Sequence, residues 1–133
     1  EKADSRVKSL RKSDIVEMKT YKSPPRAVTM MAEALCIVFS TKPSYQNFLK
    51  LTSRTDFIQL MADYDKKAIS DYTLEQLGKY ISDPDFTEEY VSKVSYSAGQ
   101  LCMWVRHVYE FGRLYSSVSI NIFKKYHINF INF

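Results

Sequence analysis

Apolar residues recur at spacings of three and four through much of this chain, the pattern of helices that each bury one face. The longest such run is Thr87 to Tyr115, TEEYVSKVSYSAGQLCMWVRHVYEFGRLY, which contains no proline. Val91, Val94, Ala98, Leu101, Val105 and Val108 fall on one helical stripe, and their spacing also fits a heptad seam. Cys102 and Tyr109 widen the stripe, while Glu89, Lys93, Gln100, Arg106 and Arg113 lie largely off it. Thr87 has an N-cap side chain, and Glu88 and Glu89 suit the positive end of a helix dipole. The pattern predicts one spine helix from Thr87 to Tyr115, roughly 40 Å long at 1.5 Å per residue.

Shorter helices precede it. Asp14 followed by Glu17 has capping-box spacing and predicts a helix from Ile15 to about Lys22. Ser23-Pro24-Pro25 then ends one helix and starts another, because proline disfavours helix before it and suits a first turn. That next helix runs to about Phe39 and is apolar on two faces, through Val28, Met31, Leu35 and Val38 and through Ala27, Met30, Ala34 and Ile37. Ser44 is placed to cap a helix from Tyr45 to Leu51. Another spans Asp56 to Ala62, and Ser70 or Asp71 caps one running through Leu74, Leu77 and Ile81 to the Asp83-Pro84-Asp85 stop. Ala3, Val7 and Leu10 have the spacing of a coiled-coil end, but ten residues are too few to establish a heptad. The expected fold is all-α, with about six helices and short connections.

The pattern changes after Tyr115. SSVSINIFKKYHINFINF has no acidic residue, and Val118, Ile120 and Ile122 alternate as a strand would. Residues 116–133 are therefore expected to be β-prone and foreign to the helical fold, an aggregation liability more than a functional element.

With 133 residues the chain suffices for one domain with its own core. It starts at Glu1 without an initiator Met and is expected to be a processed or excised fragment. Cys36 and Cys102 both sit among apolar residues, so reduced core thiols of a cytosolic protein are expected, with a contacting pair as the alternative. No signal peptide is visible, and no apolar run is long enough to span a bilayer.

The net charge of +4 conceals segregation. Residues 1–26 carry eight Lys/Arg against four Asp/Glu, residues 27–92 carry six against ten, and residues 93–115 carry three against one. Basic ends around an acidic middle point to a local patch facing an acidic partner, more than to a broad nucleic-acid surface.

Sites for chemistry do not emerge. Gly78, Gly99 and Gly112 all fall inside predicted helices, so no phosphate-cradling loop is present. His107 and His127 have no partner at metal-ligand spacing, and Asp63 and Asp65 read as a solvated loop. Trp104 and the tyrosines could stack on bases, yet their helical spacing favours packing. No catalytic residues, cofactor or metal are expected.

Two ordered blocks resemble a known family. Residues 9–39, SLRKSDIVEMKTYKSPPRAVTMMAEALCIVF, resemble the segment of dynein heavy chains where the first stalk strand enters the microtubule-binding domain. The marks are the basic pair, V-E-M-K, the double proline and E-A-L-C. Farther on, Y-D-K, D-P-D-F, V-S and L-C-M-W-V-R are similar to the rest of that domain, more in its axonemal than its cytoplasmic branch. The resemblance covers about residues 5–115. It implies a helical bundle at the tip of an antiparallel coiled-coil stalk of which only stubs are present. Residues 1–10 would end the first strand, 11–115 would form the microtubule-binding domain, and 116–133 would be a divergent tail replacing the second strand.

The resemblance also implies the contact residues. Arg11, Lys12 and Lys19 would face acidic tubulin from the first short helix and its preceding turn, and Lys50 would do so from the third. Leu49 stands there where a basic residue is frequent. Lys93 would act from the start of the last helix, tuned by Glu89 one turn earlier. Implied partners are microtubules, the rest of the heavy chain and other dynein subunits, with no nucleic acid and no membrane. The implied place is the cytoplasmic cytoskeleton and the axoneme of cilia or flagella, within an ATP-driven minus-end-directed motor. A helical nucleic-acid binder and a truncated fragment without function are the alternatives.

Overall fold

The computed structural model describes the backbone of residues 2–131, with side chains except at residues 2–4, 12 and 127–131. Eight helices follow in order among the described residues: α1 Lys2–Lys8, α2 Lys12–Met18, α3 Arg26–Val38, α4 Tyr45–Thr52, α5 Phe57–Ala62, α6 Asp71–Ile81, α7 Glu88–Ser92 and α8 Tyr96–Ile131. No strand occurs among those residues, so the all-α expectation holds.

The core is built around α3. Pro25 is its N-cap, and Ala27, Val28, Met30, Met31, Ala32, Ala34, Leu35, Cys36 and Val38 are all buried. Both apolar faces are covered because α4, α6, α7 and α8 pack around it. It ends at Phe39, whose ring stacks on buried Trp104 at a centroid distance of 6.0 Å, with Tyr64 edge-on to both. Ser44 and Ser70 cap α4 and α6, accepting from Asn47 N–H at 3.0 Å and Thr73 N–H at 3.1 Å. Cys36 and Cys102 are buried free thiols, and burial pushes the Cys102 thiol up to about 12.

Three expectations are corrected. First, the spine is not one helix. Thr87 does cap α7, but the chain turns at Lys93-Val94-Ser95 before α8 begins. Buried Ser95 accepts from Ala98 N–H at 3.2 Å and caps this second start. Five of the six stripe residues are buried, whereas Val94 is turned outward by the corner. Second, the segment after Tyr115 is helical: α8 passes through it without a break and reaches Ile131, 36 residues in all. With neither proline nor glycine after Gly112, nothing in the backbone stops the helix. Residues 132 and 133 lie outside the described residues. Third, α2 starts earlier than expected. Asp14 accepts from Arg11 N–H at 2.8 Å from the third helical position, so it closes the start instead of forming the N-cap.

The N-terminal stub runs along α8. Val7 and Leu10 are buried against the bundle, and Arg6 reaches across to Glu88 of α7 and to Gln100 Oε1 of α8, the latter at 2.9 Å.

Candidate functional site

Arg11, the N-cap of α2, has a side chain 82% exposed and only a 3.9 Å approach to Asp14. Lys12 begins α2, but its side chain lies outside the described residues. Lys19 is the C-cap of the same helix and donates from Nζ to Ser53 Oγ at 2.9 Å. Ser53 is itself the C-cap of α4, and the Tyr45 hydroxyl donates to Met18 O, so α2 and α4 are tied at two points. Lys50 sits in the last turn of α4, exposed, where a cation suits the negative end of the helix. The structure thus brings Lys19 and Lys50 to one edge of the bundle.

Lys93 is exposed at the C-cap of α7, and Glu89 is exposed one turn earlier. No ion pair joins them among the described residues. Glu88 behaves differently: Arg6 holds it with both nitrogens of its fork, and Gln100 Nε2 approaches it at 3.4 Å. The Arg6 hydrogen bond lowers the Glu88 carboxyl below its ordinary range, and the same bond raises Arg6. The α7–α8 corner that carries Glu89 and Lys93 is therefore pinned to α1. Tyr90, Val94 and Tyr96 are also exposed at that corner.

Other arginines are occupied within the molecule. Arg26 pairs with Asp83 and, at 3.0 Å, with Asp85. Arg54 pairs with Asp56 at 2.9 Å. Arg106 donates to Phe86 O at 2.8 Å and lies 3.8 Å from Glu110. The ammonium groups of Lys50 and Lys93, by contrast, have no hydrogen-bond or ion-pair partner among the described residues. The sequence reading missed Arg6, because its partners are 82 and 94 residues away.

Small-molecule chemistry finds little footing here. Among the described residues no group of three or more His, Cys, Asp or Glu could hold a metal ion. Trp104 is fully buried and offers no face to a base. One hollow, about 560 Å³, lies between Ile69 and the Tyr115–Lys124 stretch of α8. At 1.5 Å per residue that places it roughly 30 Å along α8 from the corner, and its walls are mostly apolar. No described helix is long and apolar enough to cross a membrane.

Comparison with known proteins agrees with this architecture. The family model described as the microtubule-binding stalk of dynein motor matches residues 1–126. Human dynein axonemal heavy chain 2 is 36% identical over 118 residues, covering 89% of this chain. The dynein-1-beta heavy chain of the flagellar inner arm I1 complex of Chlamydomonas reinhardtii is 32% identical over 117 residues, covering 88%. Both comparisons span only 3% of the relative's length. Among solved structures, the microtubule-binding domain of dynein-c superposes with a TM-score of 0.73 at 26% identity, covering 86% of this chain and 83% of that one. The chain belongs to the microtubule-binding stalk family of dynein motors.

Proposed function

We propose that this chain is the microtubule-contacting tip of an axonemal dynein heavy chain, a binding module that carries no chemistry of its own. It would serve an ATP-driven, minus-end-directed motor in the cytoskeleton of a cilium or flagellum, joined to the rest of the heavy chain and its companion subunits. The axonemal assignment is supported by the human and Chlamydomonas relatives. Residues 1–10 are the end of the first stalk strand, residues 11–115 the binding domain, and residues 116–133 the divergent continuation.

One observation carries the reading. Arg26 and Arg54 are paired with carboxylates of the body, while the Lys50 and Lys93 ammonium groups stand exposed without a partner among the described residues, on elements the family resemblance assigns to the contact. Arg11 and Lys19 add cations on α2, the resemblance assigns Lys12 to the same contact, and Glu89 moderates Lys93. Such exposed charges act over only about 8 Å at physiological salt and contribute modestly one by one. Their sum acts mainly on encounter rate, which suits a foot that must also release its track.

The test is co-sedimentation of the full chain with microtubules at low and moderate salt. Saturable binding that weakens with salt is expected, and Lys12→Glu with Lys93→Glu should reduce it at least about tenfold, roughly 1.4 kcal/mol, with helicity unchanged. Unchanged affinity in that double variant would overturn the residue assignment, and no binding by the folded chain would overturn the function.

A further inference from the structure

Large apolar side chains exposed in the described bundle, apart from the part of α8 beyond Arg113, are Val16, Tyr72, Tyr90, Val94 and Tyr96. Singly, such residues need no explanation. Their distribution does, because all but Tyr72 lie in two of the three segments that carry the proposed contact cations, α2 and the α7–α8 corner. Val16 sits in α2 between Arg11 and Lys19. Tyr90, Val94 and Tyr96 surround Lys93 in sequence at the α7–α8 corner, with exposures of 40%, 40% and 68%.

The corner itself produces this cluster. Val94 belongs to the buried stripe of the predicted spine and would face the core had the helix continued. The turn at Lys93-Val94-Ser95 rotates it into solvent, and Tyr96 follows as the first residue of α8. Valine in water costs stability that an unbroken helix would have recovered. Tyrosines with an apolar ring and a polar tip are the side chains that interfaces favour at their centres.

We propose that Tyr90, Val94 and Tyr96 form an apolar contact centred on Lys93, and that its occupant is an acidic protein surface bearing an apolar hollow on the microtubule. This rests on the reading of the corner as part of the microtubule contact. Charge complementarity selects that occupant: an unpaired lysine in the middle of the patch calls for an opposing carboxylate, and the flanking rings call for apolar surface around it. The contact then has two components of different character. The lysine contribution is screened by salt, whereas burial of the valine and tyrosine surface is not, so part of the binding persists as salt rises.

The experiment is co-sedimentation of the full chain with microtubules across a salt series, using Val94→Ser, Tyr96→Ser, Lys93→Ala and the off-site control Tyr72→Ser. Circular dichroism and Trp104 emission confirm folding, which exposed positions leave intact. Val94→Ser and Tyr96→Ser should each weaken binding about three- to tenfold by a similar factor at every salt concentration. Lys93→Ala should instead flatten the salt dependence, and Tyr72→Ser should bind as the parent does. Parent-like binding by both apolar variants while Lys93→Ala weakens would overturn the apolar contact and leave the corner's role standing. Parent-like binding by Lys93→Ala as well would overturn the corner as a contact site altogether.

Discussion

A Cβ placed on Gly99 meets Ser92 Oγ at 1.8 Å and Ser92 Cα at 2.9 Å, so α7 folds against the first turn of α8 only where the side chain is missing. The two nearest obstacles, Oγ and Cβ, belong to a short side chain, but the third is backbone, and backbone yields only if the corner opens. Two effects of Gly99→Ala oppose each other. Alanine favours helix over glycine by about 1 kcal/mol, while overpacking costs about 1–3 kcal/mol. With main chain in the way the second wins, and the variant should melt at a lower temperature than the parent; a higher melting temperature would show that α7 is not held this closely. Gly99 and Ser95 were also the two residues that could have disclosed the corner from sequence. Ser95 has the same capping chemistry as Thr87 and precedes a second helical start, and a glycine inside an apolar stripe is a sign of close approach. The uninterrupted three-four spacing of the stripe outweighed both, because that spacing does not register where the chain turns between two helices of similar phase.

Elements with local stop and start chemistry were legible. Pro25 before α3, Ser44 before α4, Ser70 before α6 and Thr87 before α7 each act within four residues of themselves, and each boundary fell within a residue or two of expectation. The far half of α8 was misjudged for the opposite reason. Val118, Ile120 and Ile122 alternate, but short β-branched runs do not by themselves decide between strand and helix. Here the decision came from outside the run: α8 arrives already formed, and adding residues to an existing helix avoids the cost of nucleation. Ile120 and Phe123 then line the hollow beside Ile69, and Ser116 Oγ stands 3.5 Å from Asp71 Oδ1, so the first turns of the segment keep contact with the body. Ser119→Pro tests this. Proline inside a helix removes a hydrogen bond and costs about 3 kcal/mol or more, so the 222 nm signal should fall while Trp104 emission keeps its buried character. An unchanged 222 nm signal would return the segment to the non-helical reading.

Across the described molecule, some cations are paired internally and others are left exposed. Two arginines join distant elements, Arg6 to α7 and α8 and Arg26 to carboxylates 57 and 59 residues away. The planar fork that donates two parallel hydrogen bonds to a carboxylate suits this use. Lysines at positions 50 and 93 are left to the outside. Counting charges by segment foretold the acidic body and basic ends, yet it gave no means of telling a structural cation from a contact cation, since the pairings close only in three dimensions. Arg6 and Glu88 show what the sorting contributes to stability. The Glu88 carboxyl lies below its ordinary value of 4.5 because Arg6 bonds its charged form. A lowered folded value means stability that is complete above the ordinary range and is lost as pH falls through the lowered one. Both side chains are more than a third exposed, so the pair should contribute only about 0.2–1 kcal/mol at neutral pH. Melting curves of the parent and Glu88→Gln should therefore be separated near neutrality, with the parent higher, and should converge in acid once Glu88 is protonated in both folded and unfolded chains. A separation that persisted in acid would trace the loss to the geometry around Gln100 instead of to the charge on Glu88, and the link between α1 and the lysine-bearing corner would then be one of packing.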